Sequence, residues 1–169
     1  MQYERRAGVD ARFEELFRLY EKPIFHYVYR MVHDRELAEE LTQQAFVKAY
    51  GALPGLPDEA NHRAWLYRIA TNACYDHFRR SRLIQWLPLL DQDSPSAAVA
   101  AEGASGNGDA VQHTLDRLSP EDRAVLVLYS VEEYSTAEIG QMLNITSGAV
   151  KARLFRARNR FRRLYDRED

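Results

Sequence analysis

Cysteine is almost missing from this chain: Cys74 is the only one in 169 residues. A lone thiol cannot close an internal disulfide, and it excludes a cysteine-based zinc site. No apolar run is long enough to span a bilayer. The opening stretch "MQYERRAGVDARFEELF" lacks the apolar segment of a signal peptide. A cytoplasmic protein with no membrane insertion is therefore expected. The five histidines (His26, His33, His62, His77 and His113) show no ligand spacing, and neither a nucleophile motif nor a phosphate-binding glycine loop occurs. No enzyme, metal or cofactor is expected. Excess charge is also scarce, with a formal net charge of -2. Spread evenly, that balance would argue against a nucleic-acid partner.

The charge is not spread evenly. No lysine or arginine occurs between Arg82 and Arg117. Within that gap, "LPLLDQDSPSAAVAAEGASGNGDA" mixes small residues, prolines and acids, too poor in large apolar groups to offset the entropy of ordering. Residues 87–114 are expected to form a flexible acidic linker between a domain at 1–86 and a second at 115–169. The two domains are expected to move independently about it. No internal repeat is visible.

Both flanking blocks carry helical periodicity. Phe13, Leu16, Phe17, Tyr20, Ile24, Tyr27, Val28 and Met31 recur at helical spacing from about Asp10. Pro23 should kink or split that helix. Asp34 is placed to cap a second helix through Leu37, Leu41, Ala45 and Ala49, stopped by Gly51 and Pro54. "LPGLPDEAN" reads as a loop. A third helix follows with Trp65, Leu66, Ile69, Ala73 and Phe78 facing inward. In the second block, Ser119 caps a helix whose first residue is Pro120. Ser135 and Glu138 form a capping box for a short helix, and Thr146 caps the last one. The chain is expected to be all-α, in two small helical domains.

The last helix, "SGAVKARLFRARNRFRR", concentrates arginine. Val150, Leu154, Ala157, Phe161 and Leu164 share one face, which is the core side. Phe155 falls on the opposite, polar face, where a large apolar group gains nothing unless a partner covers it. A short capped helix, a tight turn at Asn144 and a longer helix match a helix-turn-helix, with Gly140 letting the pair approach. In that motif the second helix enters the major groove: lysine and arginine donate to guanine or phosphate, and an apolar group covers a thymine methyl. The third helix, "HRAWLYRIATNACYDHFRRSR", sets aromatics among bases, as unstacked single-stranded bases require. For Trp65, Leu66 and Ile69 core packing is the preferred reading, and Asn72 and the basic C-terminal run of this helix are the better candidates for nucleic-acid contact.

"ELAEELTQQAFVKAY", "WLYRIATNACYDHFRR", "LSPEDRAVLVLY" and "AEIGQMLNITSGAVKARLFRARNRF" follow one another in an order and spacing that resemble a bacterial extracytoplasmic-function (ECF) sigma factor. These are small sigma-70-family members that keep only the second and fourth conserved regions. The resemblance implies a promoter-specificity subunit of RNA polymerase. Glu40, Leu41, Gln43, Gln44 and Phe46 match the family's patch for the clamp helices of the largest polymerase subunit, and the C-terminal domain would meet the polymerase flap. Residues 56–62 and the helix from Arg63 match the part that melts and reads the −10 element. There Arg63, Trp65, Arg68, Asn72, Arg79 and Arg80 would contact the non-template single strand, and Asn72 matches a position lining the pocket for a flipped base. Thr146, Ser147, Lys151, Arg153, Phe155 and Arg156 match the positions that contact the duplex −35 element. The acidic linker corresponds to the segment that threads the polymerase cleft and RNA exit channel. Control by an anti-sigma partner is implied as well.

The chain also departs from the family's pattern. Its −10 loop commonly reads phenylalanine-arginine-glycine, then an acid and serines; here it is "LPDEAN". Ala152 stands where serine is common, and His62 replaces a usual aromatic. An altered promoter sequence is expected rather than lost function. Two other classes fit parts of the pattern: a helix-turn-helix regulator that binds duplex DNA without polymerase, and an adaptor whose basic helix meets acidic protein. Neither accounts for Gln43, Gln44 and the second nucleic-acid-like helix.

Overall fold

The computed structural model describes residues 2–85 and 107–166. Most of the expected linker lies outside them. The described residues form seven α-helices and one 3-10 turn, with no strand among them. The first block is α1 (Gln2–Val32), α2 (Arg35–Ala52), the 3-10 turn Leu53–Gly55 and α3 (His62–Gln85). The second is α4 (Asn107–Asp116), α5 (Pro120–Ser130), α6 (Thr136–Leu143) and α7 (Ser147–Tyr165).

Three differences from the sequence expectation have physical causes. First, α1 runs unbroken through Pro23. A proline inside a helix costs about 3 kcal/mol. Leu16, Ile24, Tyr27, Val28 and Met31, on both sides of it, form one buried stripe, and each such side chain contributes about 1.5–3 kcal/mol. Packing wins. Second, α2 continues past Gly51 and ends in the 3-10 turn that contains Pro54. Third, residues 107–114 of the expected linker are helical, because Gln112, Thr114 and Leu115 of α4 are buried. Two of those three are polar, so hydrophobic patterning gave no warning.

In the first block α1, α2 and α3 close on one core. Inside it the Tyr27 hydroxyl lies 2.8 Å from Thr71 Oγ1, and Thr71 donates to the Tyr67 carbonyl at 2.7 Å. These buried hydroxyls satisfy one another, as they must away from water. Burial raises the Tyr27 and Tyr67 hydroxyl pKa values well above the tyrosine norm. Cys74 is also buried, and desolvation pushes its thiol up to about 12. A thiol held protonated and covered is a packing group, not a redox switch.

The two blocks pack on each other, contrary to the expectation that they move independently. Arg123 of α5, only 5% exposed, reaches across to donate to the Met31 carbonyl at the end of α1. It also donates to the Asp116 carbonyl at 2.7 Å and lies over the Phe78 ring of α3. Gln112 donates to the Arg30 carbonyl at 3.1 Å, and His33 pairs with Asp116 at 3.0 Å. A helix C-terminus leaves carbonyls without intrahelical donors. Here the second block supplies donors to α1.

Gly140 faces the sharpest steric demand. A Cβ there would lie 2.7 Å from the Ile145 carbonyl oxygen, because Asn144 turns the chain with a left-handed φ of 56°. Gly140→Ala should therefore force α6 and α7 apart and cost about 1–3 kcal/mol. Thermal unfolding followed by circular dichroism should show a midpoint lower by roughly 2–4 °C per kcal/mol.

Candidate nucleic-acid interface

The α6–α7 pair is fixed at each end by local chemistry. Ser135 Oγ accepts from the Glu138 amide at 3.3 Å, and Glu138 Oε2 accepts from the Ser135 amide at 2.9 Å. Thr146 Oγ1 accepts from the Ala149 amide at 3.1 Å, capping α7. Ser147 is half-buried, its hydroxyl 3.1 Å from that of Thr136 on α6. Thr146 and Ser147 therefore set the angle between the two helices, whatever else they touch.

Val150, Leu154 and Ala157 turn into the core. On the other side Lys151, Ala152, Phe155 and Arg156 are exposed and Arg153 is half-buried. Phe155 is 69% exposed. Beyond it, Arg156, Asn159, Arg160, Arg162 and Arg163 line an open cleft shared with Asp122. The helix presents an apolar tip among donors, followed by a row of cations. That sequence of groups suits a base-methyl contact beside phosphate neutralisation.

The second expected nucleic-acid face lies on α3 and the loop before it. Asn61 Oδ1 accepts from the Ala64 amide at 3.0 Å and so caps α3. Asn72, Arg79 and Arg80 are exposed, Arg79 pairing with Asp76 at 3.2 Å. Trp65 is half-buried and packs against the core. Arg12, which sequence reasoning missed, reaches from α1 to this loop. Its guanidinium donates to the Leu56 carbonyl at 3.3 Å, to the Pro57 carbonyl at 3.2 Å and to His62 Nε2 at 2.6 Å. It also pairs with Asp58 at 3.0 Å. No local pattern links residue 12 to residue 58, so only the fold reveals this.

Arg63 and Arg68 are not free. Arg63 pairs with Glu138 of α6 at 2.7 Å and lies over the Tyr134 ring. Arg68 donates to the Gln141 carbonyl, and Asn61 donates to Gln141 Oε1 at 2.8 Å. Beside them the Tyr67 hydroxyl donates to Glu132 at 3.3 Å. The carboxyl of Glu138 titrates below the usual glutamate range, chiefly because Ser135 donates to it and secondarily because Arg63 lies beside it. Burial raises that of Glu132. Carboxylate and carbonyl oxygens of α6 thus hold the donors on α3 that a nucleic acid would need.

The expected polymerase patch divides. Glu40 and Gln43 are exposed, and Gln44 donates to Glu40 at 2.9 Å. Leu41 and Phe46 are buried and hold α2 in the core. Next to Gln43 an apolar groove between α1 and α2 is lined by Phe13, Phe17, Val47 and Tyr50. Phe17 and Phe46 meet edge to face at 4.9 Å, as do Phe13 and Tyr50 at 5.1 Å. The pairs Phe13/Phe17 and Phe46/Tyr50 are both spaced by four residues, a sequence signal for two facing aromatic stripes.

No group of three or more His, Cys, Asp or Glu side chains among the described residues could hold a metal ion. None of the described helices is long and apolar enough to cross a membrane.

Comparison with known proteins agrees with this arrangement. Residues 16–84 match the family described as Sigma-70 region 2, and residues 108–161 match Sigma-70, region 4. The chain is 30% identical to the ECF RNA polymerase sigma factor SigW of Bacillus subtilis, over 94% of this chain and 91% of that one. It is 34% identical to the ECF RNA polymerase sigma factor SigM of Mycobacterium tuberculosis, over 94% and 79%. Among solved structures, the fold is shared with the sigma factor RpoE of Bartonella quintana in complex with the anti-sigma factor NepR, at a TM-score of 0.71 and 24% identity, over 91% of this chain and 96% of that one. CnrH in complex with the cytosolic domain of CnrY gives the same TM-score at 23% identity, over 99% and 96%. SigW and SigM are sigma factors, which are not enzymes. With both sigma regions in order and near full-length identity to SigW and SigM, the chain belongs to the ECF RNA polymerase sigma factors.

Proposed function

We propose that this protein is a promoter-specificity subunit that binds core RNA polymerase, recognises the −10 and −35 elements and promotes initiation without chemistry of its own. The observation that carries this reading is the pairing of an exposed basic helix bearing Phe155 with a second donor-rich helix, α3, in a chain that holds both sigma regions. The first block, residues 1–86, engages the clamp helices through Gln43 and the neighbouring α2 surface. The second, from residue 115 with α4 leading into it, lays α7 in the major groove and meets the flap. The protein works in the cytoplasm. RpoE is solved with the anti-sigma factor NepR, and we read this chain as subject to the same control.

The work at the promoter divides between the two helices. Lys151, Arg153 and Arg156 supply donors to base edges and phosphates of the −35 duplex, with Phe155 against a thymine methyl. The −10 strand requires Arg63, Arg68 and Asn72 together. Arg63 and Arg68 are held by Glu138 and Gln141, so α6 has to leave α3 before they reach DNA. Asn72 is exposed throughout.

Three outcomes are expected. Run-off transcription with core polymerase plus this protein should initiate at promoters selected from a random library; if no sequence supports initiation, the reading fails. Lys151→Ala and Arg156→Ala should each weaken binding to a −35 duplex and lower the slope of log affinity against log salt by about 1, measured by fluorescence anisotropy. Gln141→Lys places a cation near the end of α6, where the helix dipole favours it, while opposing Arg68. Spin labels at Arg18→Cys and Arg162→Cys should report a longer, broader distance distribution in that variant than in the parent chain.

A further inference from the structure

We propose that Arg12 determines the base specificity of the loop at residues 56–62 by holding it in its reading conformation. This inference rests on the assignment of that loop to the −10 strand. Between Gly55 and His62 the loop carries no lysine or arginine and two acids, Asp58 and Glu59. An acidic loop repels the phosphates of an approaching strand. Arg12 is the cation bonded into it, brought from α1 across more than forty residues of sequence.

The geometry is that of a clamp rather than a chance surface pair. One guanidinium meets four features of the loop, three at its beginning and one at its end: the Leu56 carbonyl, the Pro57 carbonyl, the Asp58 carboxylate and the ring of His62. A planar fork of donors suits such convergence, whereas an ammonium offers only a point charge. Apart from the bond of the Asn61 side-chain amide to Gln141 Oε1, the loop's own ties are local. The Leu56 amide donates to Leu53, the Ala60 amide donates to the Pro57 carbonyl, and Asn61 caps α3. Only Arg12 joins the beginning of the loop to His62 at its end. Because an arginine can only donate, His62 must accept through Nε2 and so keep its proton on Nδ1.

A recognition loop discriminates between bases only when its groups are held in place, since an unheld loop adapts to each base alike. Removing the clamp should leave polymerase binding and −35 binding intact while flattening discrimination at the base that the loop reads. Arg12 is a positioning residue, so its signature is a ratio rather than a uniform loss.

The test uses the full chain with core polymerase and a promoter taken from the selected library, with every single-base variant of its −10 element. Arg12→Ala is expected to lower discrimination at one or two adjacent −10 positions by about tenfold, with an unchanged −35 contribution. Arg12→Lys should keep overall affinity yet restore little of the ratio. Hydrogen exchange at residues 58–62 should accelerate in both variants. An equal loss at every position, or full discrimination in Arg12→Lys, would overturn the proposal. Should Arg12→Ala fail to fold, Arg12→Lys decides alone. The exposed residue Glu59 tests the underlying assignment. If Glu59→Ala alters preference at no −10 position, the loop is not a reader and the parent reading falls. If it alters preference where Arg12→Ala does not, only the role of Arg12 falls.

Discussion

Arg123 carries a full charge from α5 into the space between the two helical blocks, where α1 ends with carbonyls that lack donors of their own. Desolvation opposes holding a cation there and lowers its proton affinity, while Asp116 favours the charged form. A charge in such a place survives only when its hydrogen bonds and a counter-ion are supplied. The Met31 and Asp116 carbonyls and the Asp116 carboxylate supply them. The contact serves both sides: the second block caps α1, and the Met31 carbonyl accepts from one guanidinium nitrogen, while the buried Nε of Arg123 is left without a partner. The remaining contacts between blocks, from His33 to Gln141, depend on that docking.

Docking in this way places α6 over α3, and it divides the recognition surface unequally. Lys151, Phe155 and Arg156 on α7 stay open to solvent. Arg63 and Arg68 meet acceptors from α6 instead. Glu138 sits at the centre of the arrangement, because one carboxylate completes the capping box of α6 and also pairs with Arg63. The element that folds the helix-turn-helix is thus also the element that pairs with the arginines of α3. Exposed ion pairs of this kind are worth little individually.

The loop before α3 shows the same economy. Its sequence offers no lysine or arginine, and the guanidinium that bonds it comes from Arg12, in the first half of α1. The loop's departure from the family's usual residues is accompanied by an outside arginine that bonds its carbonyls and offsets Asp58.

The sequence by itself determined the helices and their caps. Asp34, Ser119, Ser135 with Glu138, and Thr146 act through bonds to amides three residues away, so local spacing specifies them completely. It also determined which face of α7 is core and which is exposed, since a helical period leaves Phe155 outside. The sequence misjudged Pro23 and residues 107–114, where burial against distant elements outweighed local propensity. Only the tertiary structure decided that Phe46 lies inside, that Arg12 grips residues 56–62, and that Glu138 and Gln141 hold Arg63 and Arg68. Each of these joins residues dozens of positions apart. Their partners are chosen by how helices dock, and no periodicity along one chain segment encodes that choice.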